Sequence, residues 1–230
     1  MDIKGAIFDM DGTLLDTEPI YDSAAQRIID EYGNGEKITW DVKQHIVGTP
    51  SKVHCKLFVD TYKIKLTPEE FEKKRDEYLV EPFKTCKFMK GAKEMTHKCK
   101  HELNLKVAIA TSSSKFLFDK KTSHVKDWLK DNIDKIITGD DSRIKKGKPA
   151  PDIFILAAKE LGLDNKNCII FEDALSGINA AISSGANIVV AIPDKRQRKD
   201  VENIVYDKNK TKLIILNSMD EFDINIINKI

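Results

Sequence analysis

Six short apolar runs, at residues 4–8, 106–110, 135–138, 168–171, 188–191 and 213–216, constrain the fold of this chain more than any other feature. Five of them follow Gly91 and are separated by stretches of helical spacing. That alternation predicts right-handed βαβ units and a parallel sheet covered by helices on both faces, with the 4–8 run as a further strand. Between about Pro19 and Pro82 only helical patterns occur. Tyr21, Ala24, Ala25, Ile28 and Tyr32 recur at helix spacing until Gly33-Asn34-Gly35 stops them, and Thr67-Pro68-Glu69-Glu70 has the form of a capping box with proline at the first helical position. The expected organisation is an α/β core over residues 1–15 and 91–230, interrupted by a helical insertion over 16–90.

A length of 230 residues suits one large domain or a core with an insertion. The 38 Lys and Arg almost cancel the 37 Asp and Glu, and a net charge of +1 supplies no global field for nucleic acid or an anionic membrane. No stretch approaches the roughly 20 apolar residues of a membrane span, and the apolar run near the N-terminus is too short for a signal peptide. The expected setting is a cytoplasmic monomer without nucleic-acid or membrane partners. Cys55, Cys86, Cys99 and Cys168 form no Cys-x-x-Cys pair, so neither a disulfide framework nor a zinc site is indicated.

Ligands of an open parallel sheet bind beyond the carboxyl ends of its strands. The residues there are Asp9 and Asp11 after the first run, Thr111-Ser112-Ser113-Ser114 after the second, Gly139-Asp140-Asp141 after the third and Glu172-Asp173 after the fourth, with Lys148 just before a helix that starts near Asp152. Singly, each reads as a turn former, a helix cap or a solvated charge. Together, carboxylates, a hydroxyl and an ammonium at one sheet edge make the minimal set for handling a phosphoryl group with a hard cation. Asp9 is the expected nucleophile. Asp9 and Asp173 supply oxygen ligands suited to magnesium, without the histidine or thiolate that would favour zinc.

Asp9-Met10-Asp11-Gly12-Thr13-Leu14, Thr111 after an apolar strand, Lys148 before Pro149, and Phe171-Glu172-Asp173 resemble, in order and strand context, the four motifs of the haloacid dehalogenase superfamily of hydrolases. The resemblance implies a Rossmann-like core with an inserted α-helical cap, and magnesium-dependent hydrolysis of a small phosphomonoester through an aspartyl-phosphate on Asp9. It implies Asp11 as general acid and then general base. It assigns the metal to Asp9, Asp173, the backbone carbonyl of Asp11 and, through water, Glu172. Thr111, Ser112 and Lys148 would hold phosphoryl oxygens, and Thr13 suits the phosphatase branch.

Asp11 argues against dehalogenation, whose halide leaving group needs no acid. The β-phosphoglucomutase relatives carry a histidine twelve positions after the nucleophile, where this sequence has Tyr21, which disfavours mutase activity. Asp16-Thr17-Glu18, Trp40-Asp41-Val42-Lys43, Phe118-Asp119-Lys120-Lys121-Thr122-Ser123 and Gly147-Lys148-Pro149-Ala150-Pro151 are similar to the pseudouridine-5′-phosphatase group, which implies a 5′-nucleotide-like substrate such as pseudouridine 5′-phosphate. The alternative is a sugar-phosphate phosphatase or phosphomutase. Thr17, Glu18, Tyr21 and Lys52 are the candidate cap contacts to substrate. Trp40 and Trp128 read as packing residues, Asp16 as a helix cap or hinge brace, and the basic run at 195–199 as a solvated helix face.

Overall fold

The computed structural model describes residues 2–43 and 51–228, without the side chains of Lys52 and Asn228. Strand β1 (Gly5–Phe8) is followed by helices α1 (Glu18–Tyr32), α2 (Trp40–Lys43), α3 (Ser51–Thr61) and α4 (Pro68–Phe83), then α5 (Ala92–His97), which runs on into a π-helical turn at Lys98–Glu102. Next come β2 (Lys106–Thr111), α6 (Lys115–Lys121), α7 (Lys126–Asn132), β3 (Lys135–Thr138), α8 (Asp152–Glu160), β4 (Cys168–Glu172), α9 (Leu175–Ser183), β5 (Ile188–Ala191), α10 (Arg198–Glu202), β6 (Lys212–Ile215) and α11 (Asn225–Asn228). The six strands form one parallel sheet in the order β3-β2-β1-β4-β5-β6.

β1 lies at the centre, with Phe8 in register with Ile109 of β2 and Phe171 of β4. The apolar runs are continuous because both sheet faces are buried. Ala6, Phe8, Val107, Ile109, Ile169 and Phe171 serve one face, and Ile7, Ala108, Ala110, Cys168 and Ile170 the other, where α8 and α9 pack. The Phe8 and Phe171 rings stack at 4.5 Å and 7°, a pairing that contributes about 1 kcal/mol beyond its burial.

The helices between β1 and β2 have apolar residues of their own. Ile28 and Ile29 of α1 meet Cys55 and Phe58 of α3 and Phe71 of α4. A second group, Ala24, Leu79 and Phe83, packs against Leu117 of α6 and so ties these helices to the sheet side. Helix α4 starts as its sequence predicts: Thr67 Oγ1 accepts from Glu70 N at 3.2 Å, and Glu70 accepts from Thr67 N at 2.8 Å. Loss of such a cap costs about 1 kcal/mol.

Three sequence expectations need correction. β2 and β4 each run one residue further than their apolar stretches, because Thr111 and Glu172 still pair in the sheet. Thr17, not Asp16, occupies the cap position of α1, and its hydroxyl donates to Asp11 instead of capping the helix. The run at 195–199 is not one solvated helix face, since α10 begins only at Arg198, Gln197 is buried, and the Arg196 guanidinium lies 3.7 Å from the centre of the Trp40 ring. Among the described residues no helix is long and apolar enough to cross a membrane.

Candidate active site

The winding direction of the sheet reverses between β1 and β4, and a crevice is expected at such a point. Asp9 follows β1 there, with its N–H donating to Phe171 O at 3.0 Å, and Glu172 ends β4. Asp9, Glu172 and Asp173 each offer a carboxylate oxygen, and these oxygens lie within 4.8 Å of one another. Lys148, brought in by the segment before α8, sits among them: its buried Nζ donates to Asp9 Oδ1 at 2.5 Å, Glu172 Oε1 at 2.6 Å and Ala110 O at 3.3 Å. Glu172 Oε2 accepts the N–H groups of Asp173 (2.8 Å) and Ala174 (2.9 Å), so both of its oxygens are engaged. Thr13 donates to Asp173 Oδ1 at 2.8 Å. Gly12, at φ +83°, makes room for that carboxylate, since a β-carbon there would meet Asp173 Oδ2 at 2.3 Å.

The electrostatics follow from this crowding. Burial pushes Asp9 up to about 7, with Glu172 and Asp11 adding to the rise and Lys148 opposing it. Asp173 is raised well above the ordinary carboxylate range by burial, Glu172 and Asp9. For Lys148, burial disfavours the ammonium, but Asp9 and Glu172 outweigh it and hold the pKa above the usual lysine value. Oxygen-only donors carrying more negative charge than one ammonium offsets form a site that a hard divalent cation fits.

The Asp11 carboxylate is engaged separately. Oδ1 accepts from Thr17 Oγ1 at 2.7 Å and Lys121 Nζ at 2.5 Å, and Oδ2 accepts from Ser113 Oγ at 2.9 Å and Thr111 Oγ1 at 3.4 Å. Burial works to raise its pKa, but Lys121 and these hydrogen bonds prevail and lower it. Thr111 is fully buried and also accepts from Ser113 N at 3.1 Å.

A cavity of about 280 Å³ opens above Asp9, Asp11, Lys148, Glu172 and Asp173, and Ser112 contributes to its wall. From the helices come Thr17, Glu18, Tyr21, Trp40, Lys43 and His54, and from the loop after β5 come Asp194 and Gln197. Glu18 and Asp22 both pair with Lys43 Nζ, at 2.7 and 2.5 Å. Tyr21 packs edge-on against Phe83 at 5.5 Å, and burial raises its hydroxyl pKa. The Lys52 side chain lies outside the described residues. Trp40 lines this cavity rather than a core, whereas Trp128 packs against Phe88 at 4.7 Å.

Lys121, Lys43 and Gln197 were not singled out from sequence for the site, and Ser113 entered only as part of the 111–114 stretch. Lys121 ends a run dense in lysine and reads as a solvated charge, yet it shares a face of α6 with Leu117 and Phe118 at i, i+3 and i+4 spacing. That periodicity was the available signal for its burial.

The sequence matches the family described as "Haloacid dehalogenase-like hydrolase" over residues 6–191. It is 37% identical to "Probable pseudouridine-5'-phosphatase YKL033W-A" of Saccharomyces cerevisiae, over 81% of each chain. It is 34% identical to "(DL)-glycerol-3-phosphatase 1, mitochondrial" of Arabidopsis thaliana, over 88% of this chain and 68% of that protein. The fold is shared with a crystal structure of a HAD hydrolase, family IA, variant 3, from Entamoeba histolytica, at TM-score 0.80 and 24% identity, covering 100% of this chain and 98% of that one. The chain therefore belongs to the haloacid dehalogenase-like hydrolase family, among its phosphatases.

Proposed function

We propose that this protein is a magnesium-dependent phosphomonoester hydrolase that acts through an aspartyl-phosphate on Asp9. Its substrate is a small phosphorylated metabolite, 5′-nucleotide-like in the manner of pseudouridine 5′-phosphate. The observation that carries the reading is the cluster of buried Asp9, Lys148 and Glu172 with half-buried Asp173 at the floor of the cavity. The names of the yeast and plant relatives support a small phosphomonoester, and the yeast name favours the nucleotide-like choice. Residues 16–90 are proposed as a cap over that floor, and the protein as a cytoplasmic monomer.

Asp9 and Asp173, with the Asp11 carbonyl and with Glu172 acting through water, would hold Mg²⁺, which offsets the repulsion between the carboxylates and a phosphoryl group. Asp9 attacks phosphorus, the ester P–O bond breaks, and Asp11 gives a proton to the departing oxygen. A water then attacks the same phosphorus, its proton passes to Asp11, and the bond to Asp9 breaks. Lys148 orients Asp9 and steadies negative charge on the phosphoryl oxygens, a task shared with Ser112 and Thr111. Glu172 fixes Lys148 through Oε1 and the loop that carries Asp173 through Oε2. Glu18, Tyr21 and Thr17 border the space for the leaving group.

The test is a panel of phosphomonoesters assayed with magnesium for phosphate release. Pseudouridine 5′-phosphate is expected to rank above glycerol 3-phosphate and hexose phosphates in kcat/KM. Transfer of phosphate between sugar positions without release would overturn the hydrolase assignment, and a hexose phosphate ranking first would overturn the nucleotide-like one.

A further inference from the structure

Lys121 is the last residue of α6, and its side chain has no exposure to solvent. Its Nζ donates to Asp11 Oδ1 at 2.5 Å and to Ser113 Oγ at 2.6 Å, and Ser113 Oγ in turn donates to Asp11 Oδ2 at 2.9 Å. The ammonium thus reaches both oxygens of one carboxylate, one directly and one through a hydroxyl. Above it lie the rings of Tyr21 and Phe83, at 5.0 and 5.3 Å from Nζ. A buried lysine keeps its charge only where a partner is held in place, and here the partner is the group that moves the proton.

We infer that Lys121 is a positioning residue for Asp11, which it holds through the triangle with Ser113 in the orientation needed for proton transfer to and from the reacting oxygens. The inference rests on the phosphatase reading above. Asp11 is ionised in the arrangement described, so it first takes up a proton, as from a monoanionic ester, then gives it to the leaving oxygen as the ester P–O bond breaks, and regains one from water as the new P–O bond forms and the bond to Asp9 breaks. A carboxyl free to rotate serves both transfers poorly, although Asp9 attack itself is untouched. An aryl ester such as p-nitrophenyl phosphate needs no proton on its leaving group, so it is affected only in the second half. An alkyl ester is affected in both. A lysine that merely fastened α6 to the helices would not distinguish the two esters.

The experiment compares Lys121→Met with the wild type and with Asp11→Asn, on p-nitrophenyl phosphate and glycerol 3-phosphate, by rapid mixing and in steady state. Lys121→Met should slow steady turnover of both esters about 10- to 100-fold with KM within about twofold. On p-nitrophenyl phosphate it should release a burst approaching one equivalent per enzyme, larger than the wild-type burst, while glycerol 3-phosphate gives none. Asp11→Asn should show the same pattern more strongly. Wild-type kinetics in Lys121→Met, or an equal slowing of both esters without a burst, overturns the inference. If Lys121→Met does not fold, Ser113→Ala carries the test: a weaker form of the same burst supports the triangle, and unchanged kinetics overturns it. A wild type that releases phosphate from neither ester nor from pseudouridine 5′-phosphate sinks the phosphatase reading and this inference together, whereas an active wild type with an unaffected variant sinks the inference alone.

Discussion

Gly177, in the first turn of α9, approaches the Glu172 carboxylate so closely that a β-carbon on it would lie 1.7 Å from Oε1. Alanine in a helix interior is ordinarily better than glycine by about 0.5–1 kcal/mol. At this position overpacking, worth about 1–3 kcal/mol, should win, because the atoms displaced are the carboxylate that holds Lys148 and the 173–174 backbone. Gly177→Ala is expected to lower both the urea midpoint and kcat. An alanine variant that is more stable and fully active would show that Glu172 can shift without consequence.

Asp9→Asn preserves shape but removes the proposed nucleophile. It should fold as the wild type does by circular dichroism and lose essentially all turnover. Steady-state activity above contaminant level in that variant would end the covalent mechanism.

If magnesium binds the carboxylate cluster at Asp9, Glu172 and Asp173, as proposed, it should raise the melting temperature, because that cluster is assembled only in the folded chain. Asp173→Asn should shrink that rise, and excess chelator should abolish wild-type turnover. Calcium, which takes six to eight ligands and accepts carboxylates through both oxygens, should suppress activity. Full turnover in chelator would refute the metal assignment.

Tyr21→Phe retains the edge-on contact with Phe83 while removing the hydroxyl of a residue that lines the cavity. Relative kcat/KM values among small phosphomonoesters should change several-fold, with magnesium dependence intact. An equal loss on every substrate would tie the Tyr21 hydroxyl to the neighbouring Lys121 and Asp11 pair rather than to substrate choice.

Asp134 accepts from Lys100 Nζ at 2.5 Å and from Val107 N at 2.8 Å. Burial works to raise its pKa, but these bonds hold it below the ordinary 3.8. Because the folded value is the lower one, the stabilisation is complete above the unfolded pKa and is lost as pH falls through the folded one. Asp134→Asn should cost about 1 kcal/mol at pH 7, discounted for partial exposure, and the difference should shrink below pH 3.8. A gap that persists undiminished at pH 2 to 3 would show that the charge is not its source.

The inner strands were legible because they are buried on both faces, so residues 107–110 or 188–191 carry an unbroken apolar signal, while the edge strands β3 and β6 are partly exposed. Asp9, Lys148, Glu172 and Asp173 were legible because the carboxyl ends of the strands of a parallel sheet localise chemistry. Lys121 was not, since composition marks a lysine as surface and only the tertiary placement of α6 against Asp11 removes it from water. Trp40 and Arg196 were missed for a similar reason: they come from segments far apart in sequence, and no local pattern says that they meet.

The central place of β1 bears on how the chain is made. Gly5 pairs with Lys106 on one side and with Cys168 on the other, so β1 is made before either neighbour and has its second edge covered only when β4 follows, from Cys168 onward. Until β4 emerges, the Gly5–Phe8 backbone has unpaired donors and acceptors beside a fully apolar sequence, a template for wrong pairing. The helices encoded between β1 and β2 make mostly local contacts and can form first, which shields nothing of that edge. A fragment ending before Cys168 would therefore expose the strand that carries Asp9 and aggregate through it, even with most of its helices intact.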